Sequence, residues 1–207
     1  MIVIGLTGGI ASGKSSISNY IKERGIVVID ADLIAREITE DQKILNKINK
    51  EFQDFDILSN CCKLDRKKLA SIVFNDREKL NKLNSITHPE IKKRIKNLID
   101  SYRKKGEKYC VVDAALLIED NYMEMVDIIM LVYVNKEVQV QRLIKRDNLT
   151  TEEALNRINS QMPFEGKKNY ADYIIDNSGS YEYTINQVNI VLNNIIHTGG
   201  RHEEKNF

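Results

Sequence analysis

Residues 2–17 read "IVIGLTGGIASGKSSI", an apolar run, then a glycine-rich loop, then the start of a helical pattern. Gly8-x-x-x-x-Gly13-Lys14-Ser15 matches the Walker A pattern in full. The chemistry explains the composition. Glycines let backbone N–H groups converge on phosphate oxygens without side-chain clash. A helix starting near Lys14 points its N-terminal dipole at the same anion. The Lys14 ammonium reaches the β- and γ-phosphates, and the Ser15 hydroxyl can ligate Mg²⁺. The plain alternative is a glycine-rich turn with an exposed lysine. The strand before it and the helix after it count against that reading.

The remaining strand candidates are also continuous apolar runs: 26–30, 109–113, 128–134 and 172–176, joined to 2–6 at the start. Runs that do not alternate with polar residues suit strands covered on both faces, as in parallel sheets. Helical patterns occupy 14–24, 136–146, 151–161 and 181–196. The order predicts an α/β, doubly wound, parallel five-stranded sheet of the P-loop NTPase type. Segment 31–107 holds no further strand before 108 and reads as several helices. Asp65 is placed to cap "RKKLASIVF", and Pro89 to occupy the first turn of "EIKKRIKNLIDSYRKK". One reading makes 31–107 a helical substrate-binding insertion; the other makes it extra packing on a sheet face. The expected division is a core of 1–30, 108–138 and 166–197, the insertion 31–107, a lid over 139–165 and a polar tail over 198–207.

Composition limits the function. Of 207 residues 42% are hydrophobic and 29% charged, and the net charge is +1, so no global field points to nucleic acid or a membrane surface. The cysteines Cys61, Cys62 and Cys110 form no disulfide framework, which predicts a reducing compartment. Neither they nor His88, His197 and His202 have metal-ligand spacing. The first residues read as a buried strand rather than a signal peptide. The apolar run 128–134 is too short to span a bilayer. A cytoplasmic protein is expected, with neither nucleic acid nor membrane as partner, and the sequon at Asn148 is a chance match. Oligomeric state has no signature here.

A guanine-reading Asn-Lys-x-Asp is absent: Asn135-Lys136-Glu137-Val138 has valine where the aspartate belongs. A small kinase fits, and it needs an acceptor site and a cationic lid. In "VVIDADLIAR" an extended backbone would point Asp30 and Asp32 the same way, beside the P-loop. Either carboxylate can accept a hydroxyl proton, orient the acceptor, or hold Mg²⁺ through water. Either can equally cap the helix that follows. On the lid, Arg142 and Arg146 share a helix face, and Arg157 follows on a second helix capped by Thr150 or Thr151 with Glu153 completing a capping box. Such a hairpin can fold over ATP, or it is merely a solvated charged surface. Asp113, at a strand end, either binds Mg²⁺ through water or caps the turn at Ala114.

These residues together resemble the dephospho-CoA kinases. The matches are "GLTGGIASGKS" (5–15), "IDADLIAR" (29–36), "HP" (88–89), "LLIE" (116–119), "RD" (146–147), "EEALNRINSQ" (152–161) and "IIDNSG" (174–179). The resemblance implies a core, a helical CoA-binding domain and a lid. It implies transfer of the γ-phosphate of ATP, with Mg²⁺, to the ribose 3′-hydroxyl of dephospho-CoA. Residues Ala11, Ser12, Gly13, Lys14, Ser15 and Ser16 correspond to the ATP phosphate loop. Asp32 corresponds to the catalytic base, joined in catalysis by Lys14 and Arg142. Arg146 falls to ATP, and Asn177 and Gly179 to the turn framing adenine. His88, Leu116 and Arg157 fall to the acceptor with Asp30 and Asp32, although His88 also reads as a helix start before Pro89. Where many relatives carry proline before the Leu-Leu of "LLIE", this chain has Ala115. Two other readings stay open: a different small-molecule kinase, for a nucleoside or nucleotide, and a non-catalytic nucleotide-dependent regulator.

Overall fold

The computed structural model describes residues 1–59, 63–74 and 76–199. Cys61, Cys62 and residues 200–207 of the expected tail lie outside the described residues. The chain forms two compact units, one from residues 1–30 and 99 onward, the other Ala31–Leu98.

The first unit is built on a five-stranded sheet, β1 (Ile2–Gly8), β2 (Val27–Asp30), β3 (Tyr109–Asp113), β4 (Ile128–Tyr133) and β5 (Tyr173–Asp176). All pairings are parallel and the order is β2-β3-β1-β4-β5. The apolar runs become strands because both faces are covered. Ile4, Leu6, Val111, Ile128, Met130, Val132 and Ile175 face α1 (Lys14–Glu23) and α9 (Tyr181–Thr198), whose Ile17, Ile21, Val188, Leu192 and Ile195 complete one buried cluster. On the other side a β-carbon at Gly5 would meet Leu117 at 2.6 Å, so the segment after β3 packs tightly against β1. With β1 central, its carboxyl end and those of its neighbours open onto one edge, where ligands of such sheets bind. This unit also holds α6 (Lys136–Asp147), α7 (Thr151–Asn159) and α8 (Phe164–Lys168). The short α8 had no signal in the sequence patterns.

The second unit is helical: α2 (Ala31–Ile38), α3 (Gln42–Glu51), α4 (Arg66–Phe74) and most of α5 (Arg77–Lys104). Asp41 caps α3 through Lys43 and Ile44 N–H, and Asp65 accepts from Lys68 N–H at 3.0 Å at the start of α4. Two expectations are corrected. Pro89 does not begin a helix; it lies inside α5. Proline removes the N–H that Ser85 C=O would accept. Both residues are exposed, so water can serve that carbonyl, while Ile91, Ile95 and Ile99 carry the buried face onward at four-residue spacing. His88 is therefore an interior residue of α5, not a helix start. Asp32 is not on an extended segment either. β2 stops at Asp30, and Asp32 stands in the first turn of α2, so strand alternation does not align it with Asp30.

Candidate active site

The Walker loop joins β1 to α1. Gly13 ends it in the left-handed region (φ 86°) and offers no side-chain cap at the start of α1, the end of a helix that favours an anion. The position demands glycine twice over. Its φ disfavours L side chains, and an added β-carbon would fall 2.0 Å from Asn177 Nδ2. Ser15 and Ser16 are exposed at this helix start, whereas the Ser12 side chain is buried and its N–H donates to Gly9 C=O at 3.1 Å, so Ser12 shapes the loop rather than facing an anion. Ala11 also has positive φ, at 58°.

Long-range contacts hold this loop. The Lys14 ammonium donates to Asp113 Oδ1, both side chains being about nine-tenths buried. Asp113 ends β3, in register with Leu6 of β1 and with Asp30 of β2, so two carboxylates sit side by side at the sheet edge beside the lysine's loop. Asn177 Nδ2 donates to Ser12 C=O at 2.7 Å, and Asn177 Oδ1 accepts from Thr184 Oγ1 at 2.8 Å. Arg142, from α6, donates to Asn177 C=O at 3.0 Å, and its guanidinium lies 3.6 Å from where a β-carbon at Gly13 would stand. One lysine and one arginine thus reach the same anion-binding loop.

A model of the dephospho-CoA kinase family matches residues 2–182. The chain belongs to that family. The dephospho-CoA kinase of Carboxydothermus hydrogenoformans is 46% identical over 195 residues, covering 92% of each chain. The solved structure of the dephospho-CoA kinase from Campylobacter jejuni superposes with a TM-score of 0.72 at 31% identity, covering 96% of this chain and 98% of that one. The shikimate kinase of Bacteroides thetaiotaomicron, 13% identical with a TM-score of 0.54 over 94% of this chain and 98% of its own, shares the fold alone. The fold is that of the P-loop kinases, and a dephospho-CoA kinase uses ATP as phosphoryl donor.

The arginines Arg146 of α6 and Arg157 of α7 in this dephospho-CoA kinase family member pair away from the loop. Arg146 makes a two-pronged contact with Asp147 at 2.8 and 3.1 Å, and Arg157 donates to the same carboxylate at 2.8 Å. That carboxyl is held below its ordinary range, first by the hydrogen bond from Arg146, and Arg146 is raised in turn by Asp147. Thr150 caps α7 and Glu153 closes the capping box. Asn135 of the failed guanine motif is simply the N-cap of α6, accepting from Val138 N–H. Asn177 has its side chain engaged by the loop, and Gly179 is exposed just before α9. Leu116 is 37% exposed in the turn after β3. Asp32 is exposed on α2 and His88 half-buried on α5, both in the helical unit.

Sequence reasoning missed three residues at this site. Gln139 and Gln161 both bond the backbone of Ile10 in the Walker loop. Lys167, 1% exposed, donates to Ala115 C=O at 3.1 Å and pairs with Glu119 Oε1 at 2.9 Å. Gln161 lay inside a family motif already quoted; the other two carried no local signal.

Proposed function

We propose that this protein transfers the γ-phosphate of ATP to the ribose 3′-hydroxyl of dephospho-CoA, giving coenzyme A and ADP. The observation that carries this is the convergence of Lys14 and Arg142 on an uncapped helix N-terminus, in a chain of this family. Phosphoryl transfer asks the protein chiefly for positioning and for neutralisation of charge on the equatorial oxygens. The loop spanning Ala11, Ser12, Gly13, Lys14, Ser15 and Ser16, through its backbone and the Lys14 ammonium, holds the triphosphate, the Ser12 and Ser16 N–H groups bracing its turn and helix start. Arg142 neutralises the transferring group. Asp32 accepts the acceptor hydroxyl's proton, and Asp30 orients it. His88, Leu116 and Arg157 are assigned to the acceptor, as the family resemblance implies. Arg146 and the turn at Asn177 and Gly179 serve ATP.

Mg²⁺ bound with ATP would be held by the Ser15 hydroxyl, with Asp113 acting through water, and would supply charge neutralisation between the phosphates. The donor set fits such an ion. No cluster of three or more His, Cys, Asp or Glu side chains able to hold a metal occurs among the described residues, and Mg²⁺ bound largely by phosphates and water needs none. No helix among the described residues is long and apolar enough to cross a membrane; we place the enzyme in the cytoplasm. Incubation of the purified protein with Mg-ATP and dephospho-CoA should yield CoA, heavier by one phosphoryl group, by mass spectrometry. Equal or faster phosphorylation of nucleosides or nucleotides in a parallel panel would move the reading to another small-molecule kinase. ATP binding without transfer to any acceptor would make it a regulator.

A further inference from the structure

Ile10 lies in the variable part of the Walker loop, yet both of its backbone polar groups are taken by side chains from elsewhere. Its N–H donates to Gln161 Oε1 at 2.7 Å, and its C=O accepts from Gln139 Nε2 at 2.7 Å. The two amides are not interchangeable. An N–H needs an oxygen and a carbonyl needs an N–H, so the network fixes which end of each glutamine faces the loop. Gly9 makes the approach possible: a β-carbon there would stand 3.0 Å from Gln139 Nε2 and 3.8 Å from Gln161 Oε1.

The gripped residue sits at a conformational decision. Ser12 N–H bonds Gly9 C=O at 3.1 Å, closing a four-residue turn with Ala11 third. A positive φ at the third position, with none at the second, marks a type II turn, which normally places glycine there. Types I and II differ by a flip of the central peptide, here Ile10–Ala11. In a trans peptide C=O and N–H are antiparallel. Gln139, by holding Ile10 C=O, therefore also fixes the direction of Ala11 N–H at the start of the anion cradle.

Both glutamines are themselves held. Gln139 is in the first turn of α6, which Asn135 caps. Gln161 follows α7, and the next residue, Met162, donates its N–H to Glu119 Oε1 at 3.3 Å, the oxygen that buried Lys167 also binds. They stand at the two roots of the α6–α7 hairpin.

We infer that Gln139 and Gln161 are positioning residues for ATP, clasping the Ile10 peptide groups so that the Walker loop keeps the turn that forms its phosphate cradle. The inference rests on the reading of this loop as the ATP site, and not on the identity of the acceptor. Its test uses direct calorimetric binding of Mg-ATP to the full-length protein, so failure to phosphorylate dephospho-CoA would leave it standing. Gln139→Ala and Gln161→Ala should each weaken ATP binding roughly threefold to tenfold, the scale of one neutral hydrogen bond, with KM for dephospho-CoA and the nucleotide-free melting temperature little changed. The glutamate variants separate positioning from bulk. Both add the same charge at nearly the same place, but Gln161→Glu keeps the acceptor that Ile10 N–H needs, whereas Gln139→Glu loses the donor that Ile10 C=O needs. ATP binding should be at least about threefold weaker in Gln139→Glu than in Gln161→Glu. Equal affinities for the two glutamate variants, wild-type affinity in both alanine variants, or losses that merely track a lowered melting temperature would overturn it.

Discussion

Lys14 and Asp113 are joined across the mouth of the Walker loop, the ammonium of the first donating to the carboxylate of the second while both are almost wholly shielded from water. The lysine that is to meet a triphosphate is thus already partnered and aimed by the end of β3. Replacing it changes stability as well as chemistry, because the carboxylate stays buried without that cation. We expect Lys14→Ala to abolish turnover and to lower stability by roughly 3 kcal/mol, the cost of breaking a largely buried pair. Lys14→Ala with Asp113→Asn should regain most of the stability and none of the turnover, which thermal melting and a CoA assay would show. Near-normal turnover in Lys14→Ala would contradict the role given to the loop.

Asp32 stands in the first turn of α2, two residues beyond Asp30, the last residue of β2. Asparagine keeps its size and removes its basicity. Asp32→Asn should reduce kcat by roughly a hundredfold or more, the usual scale for a general base, with ATP binding little altered. Asp30→Asn should be milder. If Asp32→Asn keeps most of its activity while Asp30→Asn or Asp113→Asn is inactive, the base is a different carboxylate.

Arg142 is committed to the loop through Asn177 C=O, whereas Arg146 and Arg157 share Asp147. Removing a charge aimed at the transferring phosphoryl group acts on kcat, and roughly a hundredfold loss is expected for Arg142→Ala. Arg146→Ala and Arg157→Ala should fall mainly on KM. Steady-state kinetics on the three variants would decide, and a kcat loss confined to Arg146 or Arg157 would reassign the phosphate contact.

Two carboxyls of the α6–α7 hairpin share a pH signature. Asp147 is lowered by Arg146, and Glu153 is lowered by the N–H and hydroxyl of Thr150. A carboxyl lowered by folding contributes its stabilisation above its unfolded pKa and loses it as pH falls through the lower folded value. Acidification from the ordinary carboxylate range downward should therefore loosen α6 and α7 before the sheet. Hydrogen exchange measured across that range should show α7 amides losing protection ahead of those of β1 and β3. Simultaneous loss would contradict it.

Cys110 is fully buried in β3, and burial raises its thiol to about 11. A protonated, shielded thiol is a poor nucleophile. Alkylation of the native protein near pH 8, mapped by peptide mass, should leave the Cys110 peptide unmodified until denaturant is added. Rapid native labelling at that peptide would show that the strand opens.

The sequence alone was sufficient for the Walker loop, the five strands and a capping box closed by Glu153, because each is a local pattern, while the structure chose Thr150 over Thr151 as its cap. Phosphate cradling requires glycines at fixed spacing, double-sided burial requires uninterrupted apolar runs, and a cap requires its partner three residues away. It was sufficient too for the family, whose motifs lie along most of the chain. Local rules misplaced Pro89 and Asp32. An exposed proline is tolerated where a buried isoleucine face continues the helix, and a strand's alternation ends where the backbone turns. Only the tertiary structure decided what holds the loop. Lys14 meets Asp113, Ser12 meets Asn177, and Ile10 meets Gln139 and Gln161 across more than ninety positions of sequence. Such pairs are set by which strands lie side by side, and a side chain's own neighbours in sequence carry no trace of that.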